Sequence, residues 1–328
     1  MSRIPAHLLS GFLGSGKTTL LNRLLKHPAF ANTAVVVNEV GEIGLDHYLI
    51  AESSDNVVLL ESGCLCCTIA DSLHETLAAL HARRARGEIP AFERVIIETT
   101  GLADPAPIVN TLIGNRLVTD HYRFEGLVVT VDARNALATM DSHPEVVKQI
   151  GLADRLAWTK RDVCEATPEL QSRIEGLNAL AERVDARDAA AVASAFSPGA
   201  PRSIAAPDPG ALWLPKRTSS RHDSRLRSHA FVLPAPPSWA GVAAWWRLAS
   251  ERFGDRLLRC KGLVEIADTG EIVFLQTVQR VFHTPERLPA WPDADHRSRL
   301  VCITYDVDRD LLESTLPAFA AAAGTTPF

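Results

Sequence analysis

From residue 7 to about 185, short continuous apolar runs alternate with amphipathic stretches. "HLLS" precedes "KTTLLNRLLKH", "TAVVVNE" stands alone, and "NVVLLES" precedes "DSLHETLAALHARRARG". "RVIIETT" then precedes "PIVNTLIGN", "GLVVTVDA" precedes "PEVVKQIG", and "RLAWTK" precedes "PELQSRIEGLNALAER". Near-continuous Val/Ile/Leu runs are the mark of strands buried on both faces, and the intervening stretches carry the helical repeat. The order predicts an α/β domain with a mostly parallel sheet covered by helices.

The pattern lapses between about 197 and 227, where Pro198, Pro201, Pro207, Pro209 and Pro215 precede the basic run "KRTSSRHDSRLR". Such a stretch reads as a solvated linker, with a phosphate or partner patch as the weaker reading. Beyond it, "HAFVLP", "WAGVAAWWRLASERFG", "LLRCKGLVEIA", "EIVFLQTVQRVFH", "RLVCITYDV" and "RDLLESTLPAFAAA" read as β-α-β-β-β-α, with a hairpin at "DTGE". This order predicts a smaller α+β domain with helices on one face of an antiparallel sheet. The expected division is 1–196, a linker at 197–227, and 228–328.

Composition narrows the function classes. A chain of 328 residues divides naturally into two cores, and 46% hydrophobic with 22% charged residues excludes whole-chain disorder. A net charge of −5 provides no basic field for nucleic acid or an anionic membrane. The start, "MSRIPAHLLSGFLG", is too short an apolar run, broken by Pro5 and His7, for a secretion signal or a membrane span, so a cytoplasmic protein is expected. In that reducing compartment the six cysteines are no disulfide framework, and the scattered Cys164, Cys260 and Cys302 read as small core residues.

Within the first domain, "GFLGSGKT" (Gly11 to Thr18) matches the phosphate-loop pattern at every fixed position and lies between a strand and a helix. Glycines let backbone N–H groups curl around phosphates, Lys17 reaches the terminal oxygens, and the Thr18 hydroxyl ligates magnesium. "RVIIETTG" ends a strand on Glu98, a candidate for holding magnesium or its water, and Gly101 follows with an N–H that can sense a γ-phosphate. "WTKRD" resembles the [NT]-K-x-D element of GTPases, in which Asp162 would accept the guanine donors, Lys160 pack along the base, and Thr159 stand where asparagine is usual.

"ESGCLCC" follows another strand and clusters Cys64, Cys66 and Cys67. Thiolates suit zinc and similar metals. Adjacent cysteines disfavour a local disulfide, and a redox pair between Cys64 and Cys67 lacks the usual setting. Metal binding leads, a structural zinc is the blander alternative, and Glu39 and Glu42 in "NEVGEIGLD" are the neighbouring carboxylates.

"GFLGSGKTT", "NEVGEIGLD", "ESGCLCC", "ETTGLADP" and "TKRD", in this order, resemble the CobW-type metallochaperone GTPases, more closely their YjiA-like branch; "RCKGLV", "QTVQRVF" and "RSRLVCI" resemble that family's C-terminal domain. The resemblance implies a P-loop GTPase of the SIMIBI group with slow GTP hydrolysis, which binds zinc or cobalt and delivers it to a client protein. By position it assigns Gly11, Gly14, Ser15, Gly16, Lys17, Thr18 and Thr19 to phosphates and magnesium, Glu98 to the Walker-B-type acid, Thr159, Lys160 and Asp162 to guanine, and the three cysteines to metal. Lys17, Glu98 and Glu42 are the candidate catalytic residues.

Two departures stand out. Val37 occupies a position where some relatives carry an acidic ligand, leaving Glu39, Glu42 or solvent to complete the cysteine set. Only His222 and His229 stand near the linker, where many relatives have a histidine-rich stretch. GTP with magnesium is expected to order the 38–47 loop and the cysteine loop together, and hydrolysis to release the metal. The competing readings are a small-molecule kinase with a structural zinc and a nucleotide-switched regulatory module. Six tryptophans leave a homo-oligomer open.

Overall fold

The computed structural model describes residues 3–38, 58–61, 69–198 and 225–320. Glu39, Glu42, Cys64, Cys66, Cys67, His222 and most of the expected linker lie outside the described residues. Two compact units divide the chain, Met1–Gln171 with Ala181–Arg202, and Ser172–Leu180 with Ser203–Phe328.

Among the described residues of the first unit, seven strands form one sheet: β1 (Ile4–Gly11), β2 (Thr33–Asn38), β3 (Val58–Glu61), β4 (Arg94–Thr99), β5 (Tyr122–Asp132), β6 (Arg155–Thr159) and β7 (Glu182–Asp185). Their order is β3-β2-β4-β1-β5-β6-β7, and every neighbouring pair is parallel. The apolar runs are explained by burial on both faces. Leu9, Val35, Ile96, Val128 and Ala157 pack with Leu20, Leu21, Leu24 and Leu25 of the helix Lys17–Leu25. From β1 the chain leaves toward β2 on one side, while β5 leads to β6 on the other. That reversal beside β1 is where open α/β sheets bind ligands.

One expectation fails here. "PELQSRIEGLNALAER" reads as a single helix, yet the helix Pro168–Leu177 stops early and Glu182–Asp185 becomes the edge strand β7. The open edge of β6 supplies pairing partners, and Val184 is buried there, so sheet contacts override the local helical repeat.

The second unit is an antiparallel sheet in the order β11-β10-β9-β13-β8, with β12 also on β10. Its strands are β8 (Leu226–Val232), β9 (Leu257–Glu265), β10 (Ile272–Val278), β11 (Val281–Phe282), β12 (Glu286–Leu288) and β13 (Arg299–Tyr305). Alternate residues Phe231 and Leu233, Val273 and Leu275, and Leu300 and Cys302 form a core with Val242, Trp245, Ala249 and Phe253 of the helix Trp239–Phe253. Trp245 stacks on Phe319 at 4.8 Å and donates to Thr315 Oγ1 at 3.1 Å.

Two readings of this unit are corrected. "EIVFLQTVQRVFH" is not one strand, because Gln279 takes a φ of 48° and reverses the chain between β10 and β11. The closing helix is likewise broken, with Arg309–Glu313 helical and Leu316–Ala320 a tighter turn. Pro317 cannot donate the N–H that a continuous helix needs. Cys260 and Cys302 are core residues as expected, whereas Cys164 is half-buried. No helix among the described residues is long and apolar enough to cross a membrane.

Candidate functional site

All seven parallel strands end at one edge of their sheet, and the expected phosphate and base residues that are described lie along it. β1 delivers the chain to Gly11 at φ 140°, where a Cβ would come within 2.1 Å of Thr130 Oγ1. Only glycine passes so close to β5. The loop then turns, with Ser15 N–H donating to Phe12 O at 3.1 Å and Ser15 Oγ paired with Thr130 Oγ1 at 2.6 Å. Gly16, at φ 93°, starts the helix Lys17–Leu25, and no side chain caps that start among the described residues. Helix N–H groups and the positive end of the helix dipole therefore face the loop, an arrangement that suits an anion.

Lys17 brings its ammonium back onto the loop, donating to Gly11 O at 2.9 Å and Phe12 O at 3.2 Å. Thr18 Oγ1 donates to Glu98 Oε1 at 3.1 Å. Glu98 is 5% exposed and sits in register with Leu9 and Val37 on the flanking strands. A carboxylate buried this deeply is costly unless it serves a partner. The Thr18 hydroxyl and the Glu98 carboxylate are the hard oxygen donors that magnesium takes, so the donor set fits that ion.

β4 is tied to β1 beyond Glu98, with Thr99 Oγ1 donating to Ser10 Oγ at 2.9 Å. The chain then passes directly against the phosphate loop. A Cβ on Gly101 would lie 2.4 Å from Leu13 N.

Thr159 ends β6, and its hydroxyl bridges Ser15 O at 2.6 Å and Val131 O at 3.1 Å, fixing the "TKRD" segment to the phosphate loop. Lys160, in a left-handed conformation at φ 57°, extends to Asp132 Oδ2 at 2.6 Å. Asp132 also accepts from Arg134 N and Asn135 N at 2.9 and 3.2 Å, and from Asn135 Nδ2 at 2.9 Å. Burial opposes its ionisation, but the hydrogen bonds from Lys160 and Asn135 overcome it and hold the carboxyl below its ordinary value. Asp162 is exposed in the following turn. That turn is fastened by Arg161, which donates to Asp185 Oδ2 at 2.9 Å and pairs with Glu165.

The structure thus gathers Gly11, Gly14, Ser15, Gly16, Lys17, Thr18, Thr19, Glu98, Gly101, Thr159 and Lys160 at one edge, with Asp162 at its rim. The expected transition-metal ligands Cys64, Cys66, Cys67, Glu39 and Glu42 lie outside the described residues. Among the described residues no group of three metal-ligating side chains is assembled.

Sequence reasoning missed Asp132 and Gln149. Asp132 carries the same signal as Glu98, an acid closing an apolar strand ("GLVVTVD"), and could have been found by it. Gln149 lies inside a helical pattern and carries no local signal. Both line a cavity of about 230 Å³ behind the loop, together with Phe12, Ser15, Val131 and Lys160.

The family described as "CobW/HypB/UreG, nucleotide-binding domain" matches residues 5–186, and the "Cobalamin synthesis protein cobW C-terminal domain" matches residues 226–320. The chain is 37% identical to the zinc chaperone YjiA of Escherichia coli over 181 residues, 55% of this chain and 57% of that protein. It is 34% identical to the zinc chaperone CobW of Pseudomonas aeruginosa over 163 residues, 45% of this chain and 41% of that one. These matches span about half the length of the curated relatives or less. The crystal structure of zinc-bound YjiA GTPase superposes with a TM-score of 0.72 at 25% identity, covering 98% of this chain and 99% of that one.

Proposed function

Because the chain belongs to the CobW/HypB/UreG nucleotide-binding family, whose match covers more than half its length, we propose that it is a GTP-binding, slowly GTP-hydrolysing metallochaperone that binds zinc and hands it to a client protein. The observation that carries this reading is the loop itself. Lys17 folds onto the carbonyls of Gly11 and Phe12 while Thr18 Oγ1 meets Glu98 Oε1 at 3.1 Å.

In the proposed mechanism the N–H groups of Gly14 to Thr19 and the Lys17 ammonium bind the phosphates. Thr18 and Glu98 would hold magnesium, which when bound neutralises charge on the phosphate oxygens. Gly101 presents its N–H toward the γ-phosphate. Thr159 anchors the base-reading turn to the phosphate loop, Lys160 lies along the base, and the exposed Asp162 accepts both guanine donors. Asp132 holds Lys160 in that position, which extends the set beyond the sequence signals.

Zinc is the cargo, and cobalt is the second candidate. Cys64, Cys66 and Cys67 with Glu39 or Glu42 are the proposed ligands, and Glu42 the proposed additional catalytic acid. They follow β2 and β3, whose ends Asn38 and Glu61 lie at the same sheet edge as Glu98. The name zinc chaperone, carried by relatives from two bacteria, supports zinc as the metal. Work in the cytoplasm fits this role. Nucleotide turnover by the full chain tests the reading: GTP is hydrolysed in preference to ATP, and Lys17→Ala abolishes it. Equal use of ATP, or turnover that survives Lys17→Ala, would reject it.

A further inference from the structure

The segment between β4 and the helix Pro105–Gly114 is held from two sides. In front, Gly101 abuts Leu13 of the phosphate loop so closely that a Cβ would lie 2.4 Å from its nitrogen. Behind, Gln149 of the helix Pro144–Leu152 reaches in with its side chain fully buried, at 0% exposure. Its Nε2 donates to Gly101 O at 3.1 Å and to Ala103 O at 3.0 Å. Both partners are carbonyl oxygens, so only the NH₂ end of the amide can face them and its orientation is fixed. The neighbouring Lys148 pairs with Asp104 Oδ2 at 3.5 Å, and Asp104 Oδ1 caps the next helix by accepting from Ala106 N at 3.0 Å.

Packing does not fill the space around this anchor. The cavity of about 230 Å³ lies between the phosphate loop and the helix, lined by Phe12, Leu13, Val146, Gln149 and Ile150. Within Thr100–Ala103 the described turn bond is Ala103 N to Thr100 O, at 3.2 Å. On the side away from Leu13, the Gly101–Ala103 carbonyls are held by two hydrogen bonds from this one side chain.

We propose that Gln149 is a positioning residue that sets the Gly101 N–H for a γ-phosphate, and so gives the protein its preference for nucleoside triphosphate over diphosphate. This rests on the nucleotide reading above. Gln149 acts through Gly101 and touches no phosphate. A diphosphate offers nothing for the Gly101 N–H to bind, so its affinity is independent of where Gln149 holds the segment.

The test is titration of the full chain with magnesium and either a non-hydrolysable GTP analogue or GDP. Gln149→Met keeps length and loses both donors. It lowers affinity for the GTP analogue about tenfold, the factor carried by a lost buried hydrogen bond, and leaves GDP affinity within about twofold. Gln149→Glu places a buried carboxyl against two carbonyl oxygens; burial favours its neutral form, which keeps one donor and part of the preference. Raising the pH until the carboxyl ionises removes that donor, so the variant's preference, referenced to the wild-type ratio at each pH, falls as pH rises. A folded Gln149→Met variant that loses affinity for both nucleotides equally, or for neither, overturns the proposal. If Gln149→Met does not fold, a pH-independent ratio in Gln149→Glu overturns it. Wild-type protein that binds neither nucleotide is a different failure: it removes the nucleotide reading first and this inference with it.

Discussion

Gly101→Ala probes the contact between the two proposed phosphate-sensing segments. Gly101 is not among the residues with positive φ, so alanine meets no backbone strain of its own there. The whole effect comes from the new methyl, which would lie 2.4 Å from Leu13 N, 2.7 Å from Leu13 Cα and 2.7 Å from Leu13 Cδ2. Two of these three atoms are backbone and cannot rotate away. Restoring ordinary contact moves the segments apart by about 1 Å. Overpacking of this kind costs about 1–3 kcal/mol, which at about 2–4 °C per kcal/mol for a domain of this size lowers Tm by about 2–12 °C. A 1 Å misplacement at a reacting centre costs on the order of 10²-fold in rate, so kcat/KM for GTP falls by that factor. The control is Gly87→Ala, at φ 71° with nothing within 4 Å of the added methyl. It carries left-handed strain of about 1–2 kcal/mol and leaves GTP turnover unchanged. Thermal unfolding with steady-state kinetics measures both. Wild-type Tm and kcat/KM in Gly101→Ala would refute the close-packed arrangement, and an equal kinetic loss in Gly87→Ala would show that the effect is not local.

Three further outcomes follow from the geometry. Asp132→Asn destabilises the protein at neutral pH. Because the folded carboxyl titrates below its ordinary value, that stabilisation is present above about pH 4 and is lost as pH falls through the folded value; the gap in Tm between wild type and variant therefore closes on acidification, and a gap that widens instead contradicts the assignment. Trp245→Ala removes a buried ring, its stack on Phe319 and its bond to Thr315, costing about 3–5 kcal/mol in urea unfolding of the full chain; a loss below about 1 kcal/mol would contradict its place in the core. Asp162→Ala deletes the proposed guanine acceptor, so GTP affinity falls at least tenfold while ATP binding is unchanged; retained selectivity for GTP would move base reading to another residue.

The sequence was most legible where several constraints act on the same residues. Gly11, Lys17 and Thr18 must satisfy strand, turn, helix start and the proposed phosphate chemistry together, so the pattern names the fold and a candidate site. Val/Ile/Leu runs such as "RVIIET" identified parallel strands because both faces are buried. The edge strand Glu182–Asp185 was not legible, since its pairing depends on β6 and its own four residues carry no strand pattern. The β10–β11 reversal was hidden because Gln279 is an uncommon residue for positive φ. Gln149 was hidden for a different reason. Its role depends on carbonyls of Gly101 and Ala103 that are remote in sequence, and a helical repeat cannot signal such partners.

The proposed metallochaperone role, with the expected control of metal affinity by nucleotide state, is tested most directly by zinc titration of the full chain against a chromophoric chelator. The titration is made with magnesium and a GTP analogue, with magnesium and GDP, and with magnesium alone. The account predicts tighter zinc binding with the GTP analogue than with GDP, and loss of that gain in Cys66→Ala and Cys67→Ala. Equal zinc affinity in all three states would contradict it and leave the cysteines as a structural zinc site.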